Sequence, residues 1–176
     1  TLTLSTGDNV NDSDITASGN ISGVTTLTLA DVGGTATLSG DVDVTTFTVG
    51  NTVANVAFTG NGSSVASSFT PNNDGTFIFG ISDQTPTFTF NGGLNTASVD
   101  GTVTLNGHIV TSNDAVVLGN ITLGRNSTID TNATSNAADI TIAAITGGSN
   151  RLTLSTGNNI TGADVTASGA ISGLGN

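Results

Sequence analysis

The chain has 176 residues, and its 13 aspartates against only two basic residues, Arg125 and Arg151, give a formal net charge of −11. This balance excludes the basic patch that phosphate binding requires, so we expect no nucleic-acid partner. No apolar run approaches the roughly 18 residues of a membrane-spanning helix, so we do not expect membrane insertion.

The composition predicts an all-β fold. The good helix formers Glu, Lys and Met are absent, whereas Thr, Val and Ile, which favour strands, and Gly, Asn and Asp, which favour turns, are abundant. Cys is absent as well, so no disulfide can stabilise the fold. Its stability must therefore come from repeated, hydrogen-bonded packing.

From the first residues onward, short strands of the form apolar–polar–apolar recur about every 20 residues. Side chains two apart on a strand share a face, so both apolar residues of each strand point into one core. Stacking such coils predicts a right-handed parallel β-helix, or β-solenoid, of about seven to eight coils that spans residues 1–176 as a single segment. The strands carry the pairs Leu2 and Leu4, Leu27 and Leu29, Phe47 and Val49, Phe88 and Phe90, Val103 and Leu105, Ile121 and Leu123, Ile140 and Ile142, and Leu152 and Leu154.

The first stretch is rich in carboxylates. The segment GDNVNDSD brings together Asp8, Asp12 and Asp14, and further on Asp41 and Asp43 share a strand face. Such oxygen-rich groups suit calcium, the one cofactor that the sequence suggests. Neither an EF-hand loop nor the glycine-rich calcium-binding repeat occurs, however, and a second copy of this stretch has Asn and Gly in place of Asp8 and Asp12. We therefore expect structural turns here, with no metal or cofactor site.

Thr-x-Thr triplets recur along the chain and raise the possibility of an ice-binding face. Outward threonine is also what strands favour outside a thin core. An ice-binding face needs threonines that align from coil to coil, and the strand spacings of 25, 20, 18 and 19 residues are irregular. The sequence therefore argues against ice binding. The triplets are Thr1/Thr3, Thr26/Thr28, Thr35/Thr37, Thr46/Thr48, Thr87/Thr89 and Thr102/Thr104.

Residues 58–90 break the rhythm of the repeat, because they contain six of the seven phenylalanines together with Pro71 and Pro86. Residues 72–75 form a turn cluster between strands, and the alternation of Phe77, Phe79, Phe88 and Phe90 is typical of a half-buried pair of strands. This stretch is either an inserted hairpin or a wider, Phe-rich coil, and we favour the wider coil over a ligand platform.

Catalytic residues are scarce, and we expect no enzyme and no catalytic site. Parallel β-helices do include polysaccharide lyases and hydrolases, but Lys is absent and both arginines are isolated in sequence. The aspartates allow a glycosidase pair, although no local pattern selects one. His108 is the only histidine and no G-x-S-x-G elbow accompanies it, so we interpret it as an exposed turn residue.

The two ends of the chain repeat each other. Residues 2–24, LTLSTGDNVNDSDITASGNISGV, reappear without a gap at 152–174 as LTLSTGNNITGADVTASGAISGL, with 15 of 23 positions identical. The period is therefore 150 residues. We expect the chain to be one period, plus the start of the next, of a longer array.

The repeat LTLSTGNNITGADVTASGAISG, with its L-T-L, G-x-N-I and T-A-S-G-A-I-S steps, resembles the repeats of filamentous-haemagglutinin-like exoproteins and autotransporter adhesins. The resemblance implies a structural or adhesive segment of a large bacterial fibre, secreted or attached to the cell surface, with surface polysaccharide as one possible partner. The alternative is a subunit that polymerises into an extracellular filament or sheath. Self-association end to end is expected in both cases, because open solenoid ends expose unpaired strand edges.

Overall fold

The computed structural model describes residues 1–7, 12–135, 138–157 and 161–176. It is an all-β solenoid of about seven turns, built from parallel strands without a helix in the described ranges. The predicted fold class and number of coils are confirmed, and the right-handed sense of the coil stays a prediction.

The strands are short, because each coil turns a corner after every few residues. In chain order they are β1 (Leu2–Leu4), β2 (Ile15–Ala17), β3 (Thr26–Leu29), β4 (Val32–Leu38), β5 (Asp43–Val44), β6 (Thr46–Val49), β7 (Val53–Phe58), β8 (Ser64–Val65), β9 (Phe77–Phe79), β10 (Thr87–Phe90), β11 (Leu94–Asn95), β12 (Val103–Leu105), β13 (His108–Thr111), β14 (Val116–Leu123), β15 (Ser127–Asp130), β16 (Ile140–Thr146), β17 (Leu152–Ser155), β18 (Val165–Ala167) and β19 (Ile171–Ser172).

These strands stack into three faces. The first face contains β1, β3 and β6, continues through Phe69 to β11 and the first halves of β14 and β16, and reaches β18. The second contains β2, β4, β7, β9, β12, the second halves of β14 and β16, and β19. The third contains β5, β8, β10, β13, β15 and β17. The chain visits the faces in the order first, second, third in every turn.

All eight predicted apolar pairs lie in strands, which confirms those strand predictions. They are distributed over all three faces, however, so the spacing between successive pairs is not the length of a coil. The true coil length is the offset between stacked residues, which ranges from 18 between Val103 and Ile121 to 26 between Phe77 and Val103. Because the strands pair in register, the extra residues lie in the corners.

The interior is filled by the apolar residues of each strand, and in the Phe-rich stretch by aromatic rings. The rings of Phe47 and Phe69 stack with centroids 4.7 Å apart, and those of Phe69 and Phe90 are 5.4 Å apart. All six phenylalanines of residues 58–90 are buried. Strands β8 to β10 of this stretch, and β7 that leads into it, pair in parallel with neighbouring coils, so the stretch continues the stack and its rings lie in the core.

The two copies of the repeat occupy different faces. Leu2 of the first copy pairs on the first face with Leu27, whereas its counterpart Leu152 pairs on the third face with Ser127. The same shift by one face separates Ile15 from Val165 and Ile21 from Ile171. The chain starts on the first face at Leu2 and returns to it at Ile140 after six complete turns. It then passes to the second face and reaches the third face at Leu152. A period of 150 residues is therefore six and two-thirds turns.

Among the described residues, the two copies nevertheless share three backbone positions with positive φ. Asp12 has φ 62° and its counterpart Gly162 has φ 86°. The glycine pairs 7/157 and 23/173 also have positive φ in both copies. Asp and Gly are among the residues that tolerate this left-handed region. The exchange of Asp12 for Gly162 thus preserves the turn, and sequence similarity fixes the local conformation without fixing the face on which it lies.

Candidate interaction surface

The second face carries the longest aligned array of outward side chains. Thr16 stands beside Thr37, Thr104 beside Thr122, and Thr122 beside Thr146, each pair in register on neighbouring strands. We call the two outward columns of this face the threonine face. One column contains Thr16, Thr37, Ala57, Ile78, Thr104, Thr122, Thr146 and Ser172, and the other contains Asp14, Thr35, Asn55, Thr76, Thr102, Asn120, Ala144 and Ala170.

The composition of the threonine face differs sharply from that of the whole chain. Eight of its 16 residues are threonine and none of the 16 is buried. Asp14, in the first coil, is its only charged residue, although the chain contains 13 aspartates. The face is therefore nearly neutral on a strongly acidic molecule.

The six Thr-x-Thr triplets do not form one array. Thr1/Thr3, Thr26/Thr28 and Thr46/Thr48 lie on the first face, Thr35/Thr37 and Thr102/Thr104 on the second, and Thr87/Thr89 on the third. Within a face, however, threonines of different coils do align. The insertions lie in the corners, so the strands of the second face keep their register across coils that differ in length by as much as eight residues. The spacing of Thr-x-Thr triplets in the sequence therefore does not predict which threonines align on the surface.

The predicted acidic residues accept backbone hydrogen bonds from the next coil. Asp14 Oδ1 accepts from the Thr35 N–H at 2.7 Å, and Asp41 Oδ1 accepts from the N–H groups of Asn61 and Gly62 at 2.7 and 2.9 Å. Asp8 lies outside the described residues. In the part of the chain that the structure describes, no group of three His, Cys, Asp or Glu residues could hold a metal ion.

Asparagines perform the same bridging at other corners. Asn20 Oδ1 accepts from the Asp41 N–H at 3.0 Å, and Asn126 Oδ1 accepts from the Arg151 N–H at 2.8 Å. Asn55 Oδ1 accepts from both the N–H and the hydroxyl of Thr76 at 2.9 Å. Sequence reasoning missed these bridges because the partners lie about one coil apart, and coil length could not be read from the sequence.

The remaining candidate residues are dispersed. The interpretation of His108 as an exposed turn residue is wrong: it is half-buried at the start of β13, where Thr87 and Thr128 are its neighbours in register. Arg125 Nη1 donates to the carbonyl oxygens of Ser82 and Gln84 at 3.0 and 2.7 Å, which fixes the long corner before β10. These contacts give Arg125 a structural role.

Two surface depressions, of about 310 and 320 Å³, lie along the corners of the coils. The first is lined by Ser68, Asn95, Asp114 and small neighbours, and the second by Ala97, Asp100, Asn120 and further small residues. Neither His108 nor an arginine lines either depression, so neither depression combines an aspartate carboxylate with another kind of titratable side chain.

No protein-family model matches the chain, and no curated protein or solved structure is detectably similar to it. Among the described residues, no helix has the length and apolar character needed to cross a membrane.

Proposed function

We propose that the chain is a structural segment of a bacterial extracellular repeat fibre, which is either secreted or held at the cell surface and is adhesive. The observation that supports this most directly is the stacking of the second repeat copy. The described residues of 152–174 add a further coil to the stack and share three positive-φ positions with residues 2–24, so a period can follow another period without a special junction.

Three properties of the molecule suit such a role. Its stability arises from hydrogen bonds and apolar contacts between successive coils, so length can increase without a new kind of contact. Aspartates such as Asp14 and Asp41 connect neighbouring coils through their side chains. Its outward residues are mostly hydroxyl and amide groups, which keep a long fibre hydrated.

Immunogold electron microscopy of the source bacterium with antibodies against this chain tests the proposal. The expected result is label along filaments outside the envelope of intact cells. Label confined to the cytoplasm, or to isolated particles without filaments, would contradict it. Pre-immune serum provides the control.

The alternative is a subunit that polymerises end to end. Like the segment, it would cover the apolar side chains of the last coil, where Val165, Ile171 and Leu174 are 48%, 52% and 41% exposed. These apolar side chains border strands β18 and β19 and would be covered by a coil of another copy. The mass of the native polypeptide distinguishes the two: a mass far above 17.2 kDa supports the segment, and a mass near it supports the subunit.

A further inference from the structure

We propose that the threonine face binds ice, because it places outward threonines of successive coils in register on a nearly uncharged surface. This inference goes beyond the fibre proposal and does not depend on it. An isolated solenoid and a fibre segment would present the same face.

The first step is the regular spacing of the face. Neighbouring strands are about 4.8 Å apart and alternate residues of one strand about 6.6 Å apart, so the outward side chains form a two-dimensional array. The column that runs from Thr16 to Ser172 keeps one residue per coil through every pairing. A surface that binds a crystal lattice needs repeat distances of this molecular size in two directions, and this face has them.

The second step is the chemistry of threonine. Each threonine presents a hydroxyl group, which hydrogen-bonds to water, and a methyl group, which restricts the orientation of nearby water. Its β-branched side chain has few rotamers on a strand, so the array stays ordered without a bound partner. Small alanine side chains occupy three of the other positions, Ala57, Ala144 and Ala170, and do not project beyond the threonines.

The third step is the distribution of charge. An ionised side chain orients water around itself and interrupts an ice-like layer, so an ice-binding face should lack charge. Asp14 is the only charged residue of this face, and it lies in the first coil. The third face, by contrast, carries Asp43 and Asp130 among its outward residues. Beyond the first coil, every row of this face is uncharged, which suits a neutral, ordered occupant.

A crystalline polysaccharide is the competing lattice, and the absence of exposed aromatic rings argues against it. Sugar rings pack well on flat aromatic side chains, but the chain has no Trp or Tyr and all seven phenylalanines are buried. The threonine face has nothing on which a sugar ring could stack. Water in ice needs only the hydroxyl and methyl groups that are present.

Partitioning of the fluorescently labelled chain into slowly growing ice tests the proposal. The wild-type chain should enter the ice and bind particular planes of a single ice crystal, whereas an unrelated acidic protein should stay in the liquid. The test variant combines Thr37→Lys, Thr104→Lys and Thr122→Lys on the threonine face. It should lose both the incorporation and the plane-specific label.

The matched control combines Thr87→Lys, Thr89→Lys and Thr128→Lys, three half-buried, outward threonines of the third face. The control should bind ice as the wild type does. Circular dichroism and thermal unfolding of both variants check that they remain folded. Exclusion of the wild-type chain from ice would overturn the proposal. An equal loss of ice binding in the two variants, when both are folded, would also overturn it, as would binding of the wild-type chain to a microcrystalline polysaccharide but not to ice.

Discussion

Glycines of successive coils lie above one another at the corner before the third face. A Cβ atom at Gly40 would lie 2.3 Å from the carbonyl carbon and oxygen of Gly19, and one at Gly60 would lie 2.4 Å from the oxygen of Gly40. Distances this short leave no space for a side chain between the coils. The close approach of backbone to backbone, and not the φ angle, is what requires glycine at Gly40.

We therefore expect Gly40→Ala to destabilise the fold. Because the new methyl group would collide with backbone and not with a flexible side chain, the coils must separate locally, at a cost of about 1–3 kcal/mol or more. Chemical denaturation monitored by circular dichroism measures this as a lower midpoint.

Gly19→Ala is the matched control, because a Cβ atom there would meet nothing within 4 Å. It should be neutral or stabilising by up to about 1 kcal/mol, since alanine restricts the unfolded chain. Equal effects of the two substitutions would contradict the stacking of Gly40 on Gly19.

Corners are the elements that set the shape of each coil, and the Asp and Asn bridges hold them. The Asp41 N–H donates to Asn20 Oδ1, and Asp41 Oδ1 accepts from the N–H groups of Asn61 and Gly62. Three successive coils are thereby connected at one corner. An amide oxygen can replace a carboxylate oxygen in such a bridge, which explains why Asn and Asp both occur at these positions.

Asp41→Ala should destabilise the protein by about 1–2 kcal/mol, because two backbone N–H groups lose their acceptor. Asp41→Asn keeps an oxygen acceptor and removes one charge from an acidic molecule, so its unfolding free energy should stay within about 0.5 kcal/mol of wild type. Urea denaturation of both variants provides the comparison. If Asp41→Asn is as damaging as Asp41→Ala, the carboxylate has a role other than this bridge.

At the scale of the whole molecule, the offset of six and two-thirds turns predicts how a second period would add. A chain in which residues 27–176 follow Asn176 continues the sequence in phase. It should extend the same rod by about 30 Å, because each coil adds about 4.8 Å. Small-angle X-ray scattering should show the greater length with an unchanged cross-section.

The control carries the same added residues in scrambled order and should scatter as a rod with a disordered tail. A second compact body on a flexible connection would show that periods do not stack. In the extended rod, each copy of the repeat should lie one face away from the preceding copy, so the threonine face of the first period would not continue straight into the second.

The sequence by itself determined the fold class, the eight strands with apolar pairs and the repeat. Absence of helix formers and the apolar–polar–apolar rhythm are local properties, and a strand such as Leu2–Leu4 buries the same side chains on any face. The acidic turns could also be recognised as turns, since the preference of Asp, Asn and Gly for such backbone is local.

Only the tertiary structure decided which strand lies above which. Coil length depends on how many residues each corner takes up, and corners of different length leave the strand register unchanged, as the steps from Phe77 to Val103 and from Val103 to Ile121 illustrate. The alignment of Thr104 with Thr122, the stacking of Gly40 on Gly19 and the shift of the repeat by one face all follow from that register. They are contacts between residues about 20 apart or more, which no local pattern in the sequence encodes.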